Sequence, residues 1–185
     1  MFIRCPPRPG VMVGMATTTD PLSAVVARLA AAGGPVDLEE LRRTVDTMVP
    51  FCNHVGVRVT ELAPDHGQAE LPVRPELQNH FGTVHAGALF LAGEVAGAAA
   101  FAGAMAPRIT QLQGFVLRSS KIAFLKPANG HIRARATLDE QAVRAILAGG
   151  AGRFELPGLA VLHDDADLLL GRIELDYVAW LGAAA

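Results

Sequence analysis

Cysteine is scarce: the 185 residues contain two, Cys5 and Cys52. They stand far apart, outside any C-x-x-C or Cys/His ligand spacing. Neither a disulfide framework nor a structural zinc site is expected, and a reducing cytoplasm fits best. Charge is sparse too, at 18% of residues, and neither sign dominates, with a net charge of -2 and a pI of about 6.3. The basic excess expected of a nucleic-acid binder is absent. The opening "MFIRCPPRPGVMVGM" has no continuous apolar run, because Pro and Gly interrupt it, which argues against a secretory signal. Met15 begins an ordinary-looking N-terminus, "MATTTDPL", and is a candidate start. There is no internal repeat. Ser119 and Ser120 lack a G-x-S-x-G elbow, and "GGAG" at 149–152 lacks the strand-then-helix setting of a dinucleotide loop.

Apolar residues are abundant, at 51%, enough for one packed domain. Residues 1–35 read as a variable, flexible leader containing a short helix in "TDPLSAVVARLAAAGG", and residues 36–182 as a single domain. "VDLEELRRTVDTMVPF" reads as an amphipathic helix capped by Asp37 and stopped by Pro50. The period then becomes two. Val55, Val57 and Val59, then Ala69, Leu71 and Val73, alternate with polar residues across the turn "PDHG", as in a hairpin with one buried face. Strands are also expected at 116–126, at 132–138, and in a last hairpin around "DDAD", with a short helix at "DEQAVRAILA".

Between the hairpins lies "NHFGTVHAGALFLAGEVAG", residues 79–97. Its apolar continuation predicts a helix over 85–105, enclosed because it is apolar nearly all round. The run 84–106 is long enough to cross a bilayer, but it is mostly Ala and Gly with Glu94 at its centre, so a core helix is preferred to a membrane span. Ala86, Gly87, Gly93, Gly97 and Gly103 would let another backbone come close. The order of elements predicts an α+β domain, a mostly antiparallel sheet with one helix buried against its inner face.

A lone buried carboxylate costs several kcal/mol, so Glu94 either reaches water, has partners, or has a task. Gly87 and Glu94 lie on nearly the same helix face, ~10 Å apart along the axis. The amides at the helix start are unpaired, and a glycine there admits a ligand, so this end can hold an oxyanion. A carbonyl held there is out of reach of Glu94 on the same helix. A second copy running antiparallel would bring its own Glu94 to that end, which predicts a homodimer with two equivalent interface sites.

"NHFGTVHAGALFLAGE" resembles the motif of the hotdog-fold acyl-CoA thioesterases, in the PaaI-like branch that includes thioesterase-like domains of the YiiD C-terminal type. "KIAFLKPANGHIRARATL" is similar to that family's next hairpin, and the resemblance covers roughly residues 50–180 in element order. It implies a hotdog fold, with about five to six strands wrapped around one long helix. It also implies a soluble, cytoplasmic dimer or tetramer that hydrolyses acyl-CoA thioesters without a metal or redox cofactor. Glu94 would then be the general base or nucleophile. Asn79 would orient the water or the carbonyl, the Gly87 amide would polarise the carbonyl, and His85 would brace the turn or contact the thioester. Burial should raise the pKa of Glu94, which suits a base.

The sequence departs from the family pattern twice. Ala86 replaces a glycine of H-G-G, and Leu117, beside Arg118 and Ser119, stands where some relatives have a helper Ser. Either the helper is absent or a nearby polar residue substitutes. Lys121, Lys126, Arg133 and Arg135 are candidate contacts for coenzyme A phosphates, although their alternation is also what an exposed strand face produces. Two other readings stay open. One is a dimeric hotdog that binds an acyl-CoA or another small ligand without turnover. The other is a hotdog hydratase or dehydratase, although the His and Asp motif of that branch is not seen.

Overall fold

Period-two alternation sets the sheet. In β4 (Ile132–Leu138), Ile132, Ala134 and Ala136 are fully buried, while Arg133 and Arg135 face outward. The computed structural model describes residues 21–183; Cys5, Met15 and the first part of the expected leader lie outside them. The other strands are β1 (Arg58–Leu62), β2 (Gly67–Leu71), β3 (Leu112–Phe124), β5 (Gly152–Asp164) and β6 (Leu169–Leu181). They form one antiparallel six-stranded sheet in the order β1-β2-β4-β5-β6-β3, so β1 and β3 are its edges.

The enclosed helix is α4 (Ala86–Met105), packed along the inner face of the sheet mainly against β2 and β4. The apolar span Ala86–Gln111 is 78% buried inside the fold over its most apolar window, as a core helix should be. The α4 glycines serve this packing. A Cβ at Gly93 would collide with Ile173, one at Gly97 with the Tyr177 hydroxyl, and one at Gly103 with the Ala63 backbone. Gly103 thus lets another backbone come close, as expected, and Gly93 and Gly97 make room for β6 side chains; at all three the approaching partner is the same chain. Fully burying a side chain such as Ile173 contributes roughly 1.5–3 kcal/mol.

Three helices precede the sheet. The expected leader helix is α1 (Pro21–Ala32), whose Leu22, Val26 and Leu29 pack on the main core. Asp37 caps α2 (Leu38–Met48) through hydrogen bonds from the Glu39 and Glu40 amides. Pro50 ends α2 as expected but also starts α3 (Pro50–Val55), which the sequence reading missed. Proline fixes the preceding Val49 in an extended conformation and fits the first helical position, where its missing N–H costs nothing. Val55 thus belongs to a helix and not to the first strand. Gly56, at φ 87°, closes α3 with its N–H on the Cys52 carbonyl. Asp139 caps α5 (Glu140–Ala148), and the buried Arg108 guanidinium donates to the carbonyls of Ile146, Gly149 and Gly150, satisfying the far end of that helix.

Candidate active site

At the start of α4, His85 is the N-cap, with extended backbone, and its Nδ1 accepts the Gly87 N–H at 2.9 Å. In the neutral ring the proton therefore sits on Nε2. The Gly87 amide is occupied by this contact. Among the described residues, the Ala86 amide makes no hydrogen bond, so it is the open donor at the positive end of the helix.

Asn79 builds the loop before α4. Its Oδ1 accepts the amides of Phe81 (2.9 Å) and Thr83 (3.3 Å), and its Nδ2 donates to Thr83 Oγ1 at 2.8 Å. This Asx turn sets the approach to the helix. Asn79, Ala86 and Lys126 line one open cavity of about 320 Å³.

Glu94 lies elsewhere, two turns along α4, in the wall of a cavity of about 530 Å³. Leu91, Glu94, Val95 and Ala98 form a stripe on one face of α4. Leu22, Val45, Phe51 and Cys52 of the preceding helices, with Phe115, Leu117 and Tyr177 of the sheet, are among the residues that line the rest of it. The Glu94 side chain is half-buried and, among the described residues, accepts no hydrogen bond. Burial pushes its pKa up from the ordinary 4.5. Burial raises the Tyr177 phenol and the Cys52 thiol as well, and the Glu94 charge raises both further.

The cavity contains a second acid of opposite character. Asp46 is buried, accepts the Val59 N–H at 2.7 Å, and is paired with Arg58. Burial pushes its carboxyl up, but the Arg58 and Val59 hydrogen bonds outweigh this and hold it below the usual range. Two carboxylates in one cavity are thus separated in role, Asp46 satisfied and Glu94 available.

One chain therefore brings Asn79, His85, Ala86 and Gly87 together with Lys126, and keeps Glu94 apart from them. Of the other basic candidates, Lys121 lies 3.8 Å from Glu174, Arg133 pairs with Asp167, and Arg135 lies 3.6 Å from Glu61. Lys126 makes no ion pair among the described residues. Leu117 lines the Glu94 cavity, whereas Ser119 is exposed and donates to Asp176 at 2.7 Å, so it does not stand in as the helper. The sequence reading passed over Tyr177 and Cys52 as cavity residues. The alternation that turns Ile173 and Leu175 inward also turns Tyr177 inward, and that signal could have found it.

The fold is that of solved hotdog proteins. It matches a Pseudomonas aeruginosa protein of unknown function, provisionally described as a thioesterase, at a TM-score of 0.64 and 24% identity, over 80% of this chain and 97% of that one. It matches a Haemophilus influenzae thioesterase at a TM-score of 0.59 and 18% identity, over 80% and 93% of the two chains. In sequence, 43 residues are 44% identical to the Mycobacterium tuberculosis protein Rv1847, provisionally named an esterase; the match spans 23% of this chain and 31% of that relative. The family profile described as "Domain of unknown function (DUF4442)" matches residues 39–168. A six-stranded sheet wrapped on one helix, with this profile running through most of it, settles the family: the chain belongs to DUF4442 and has the hotdog fold.

Proposed function

We propose that the protein hydrolyses acyl thioesters in two equivalent sites, each shared between two copies of the chain. The observation that carries this is Glu94: an unpartnered, half-buried carboxylate with a raised pKa, in the wall of a largely apolar cavity. Such a group is expensive to keep unless it acts. The names of the structural neighbours support the same chemistry.

The β3 edge supports the sharing. Val116 and Phe124 of β3, and Leu125 just after it, are about half exposed, at 47%, 48% and 50%. Val116 lines the Glu94 cavity, and Phe124 and Leu125 line the Asn79 cavity. Pairing β3 antiparallel with its own copy would cover these side chains and complete the open edge. It would also set the Glu94 cavity of one chain against the Asn79–Ala86 cavity of the other.

In this arrangement the α4 start of one copy receives the thioester oxygen. The Ala86 amide donates to it, joined by the Gly87 amide when His85 Nδ1 releases it. Asn79 keeps that turn in shape, and Lys126 faces the phosphate end of a coenzyme A thioester. Glu94 of the other copy takes a proton from water as the water oxygen bonds to the carbonyl carbon. The tetrahedral intermediate then breaks its C–S bond, and the proton passes from Glu94 to the leaving thiolate, giving acid and thiol.

Leu117 favours a second reading, in which the shell binds an acyl-CoA without turnover, because no hydroxyl stands there to hold water. One experiment separates the two: thiol release from acetyl- to long-chain and aromatic acyl-CoAs, by wild type and by Glu94→Ala. Turnover that disappears in a folded Glu94→Ala supports hydrolysis. Binding without turnover on every thioester supports the second reading.

A further inference from the structure

We infer that the Glu94 cavity takes an unbranched acyl chain of medium length, with Ala98 as the residue that leaves room for it and Phe115, backed by Phe101, as its end wall. This rests on the thioester reading above and adds the class of acyl group. On α4 the cavity stripe runs from Leu91 past Glu94 to Ala98. Ala98 is a partly buried methyl one turn beyond the carboxylate, and any larger side chain there would project into the cavity. The next residue in the stripe is Phe101, fully buried and absent from the lining.

Phe101 is hidden because Phe115 stacks on it, with ring centroids 3.8 Å apart, and Phe115 stacks in turn on Tyr177 at 4.7 Å. Phe115 and Tyr177 present their surfaces to the cavity, with Phe101 behind. Tyr177 flanks the path at the level of Glu94 and Gly97, with its hydroxyl turned away to donate to the Glu94 carbonyl, so it too offers carbon to a ligand. From Glu94 to the level of Phe101 the helix advances ~10 Å. An extended alkyl chain, with C–C bonds of ~1.5 Å, advances about 1.3 Å per carbon, so about eight carbons reach the wall. The rest of the lining is largely apolar, with Val45, Met48, Phe51 and Leu117 among it, and its other acid, Asp46, is paired with Arg58, so no free charge besides Glu94 meets the acyl group.

The test uses S-alkyl coenzyme A thioethers of two to sixteen carbons, which bind but cannot be hydrolysed, titrated calorimetrically into the full chain. Affinity is expected to rise about fourfold per methylene up to about eight carbons and then level off or fall. Ala98→Phe should move that break to shorter chains, and Phe115→Ala should move it to longer ones. A profile without a break, a break that neither substitution moves, equal losses at every length in Ala98→Phe, or no binding of any thioether would overturn the inference. Thiol release from the matching thioesters is read in parallel. A break that moves as expected without any turnover would leave the acyl cavity standing and remove the hydrolysis.

Discussion

The Tyr177 hydroxyl donates to the backbone carbonyl of Glu94 at 3.3 Å and fills the notch that Gly97 leaves on α4. The contact docks β6 on the helix directly beneath the candidate carboxylate. Gly97→Ala would drive its methyl into the phenol and into Leu175, and we expect a loss of about 1–3 kcal/mol in urea unfolding. Tyr177→Phe removes the hydroxyl that collides, at a cost of about 1 kcal/mol for the lost hydrogen bond. The double variant should therefore lose less than the sum of the single ones. Simple additivity would show that the two positions do not share this space.

Glu94 acts as a base only when ionised, and burial raises its pKa. The acid limb of kcat/KM should therefore fall above the ordinary carboxylate value of 4.5, and no such limb should remain in the residual activity of Glu94→Gln. Stability moves in the opposite sense. A carboxyl whose pKa is raised by folding contributes fully below its unfolded pKa and loses that contribution as pH rises through the folded one. Glu94→Gln should thus be more stable than wild type near neutrality, and the difference should vanish in acid. Thermal unfolding of both proteins across pH checks this.

Asp46 gives the mirror case. Burial alone would raise its pKa, but Arg58 and the Val59 N–H lower it, so its stability contribution is present above the unfolded value of ~3.9 and lost as pH falls through the folded one. Arg58→Ala removes the cation and leaves the buried carboxylate, so acid unfolding should begin at a higher pH than in wild type. Asp46→Ala strands the Val59 N–H and should cost about 2 kcal/mol. Circular dichroism against pH measures the first, and denaturant unfolding at neutral pH the second.

The exposed β3 edge makes a prediction about assembly. Wild type should sediment as a dimer or a larger even assembly. Val116→Glu with Phe124→Glu should place like charges across the pairing line, give a folded monomer, and abolish thioester hydrolysis. A wild-type monomer that turns over substrate would contradict the shared site.

Much of the fold was legible in the sequence because two periods are clear in it. The alternation in 132–138 and 169–181 sets strands with one buried face, and the apolar run after His85 is too long to be anything but a helix. What escaped depended on tertiary packing. Pro50 read as a stop because its second role, opening α3, depends on the turn it makes with Val49. Gly93, Gly97 and Gly103 advertised close approach, but only the fold shows that the approaching partner is the same chain. At the site, the isolation of Glu94 could be read directly. The occupied Gly87 amide, the Asx turn of Asn79 and the commitment of Arg133 and Arg135 to surface acids could not, since each depends on a partner distant from any motif or hidden within it.

The shared site is tested most directly by mixing two variants, each disabled on one side of it. Glu94→Gln removes the base. Ala86→Pro removes the open amide while keeping the helix, because Ala86 is the first helical residue and His85 is already extended at φ -64°, ψ 138°. Each variant alone should keep only a trace of activity. After the two are unfolded and refolded together, half the dimers are mixed and each mixed dimer has one intact site, so thiol release should return to about a quarter of wild type. A mixture as inactive as its parents would place Glu94 and Ala86 outside a common site, and full activity in Glu94→Gln alone would remove the carboxylate from the chemistry.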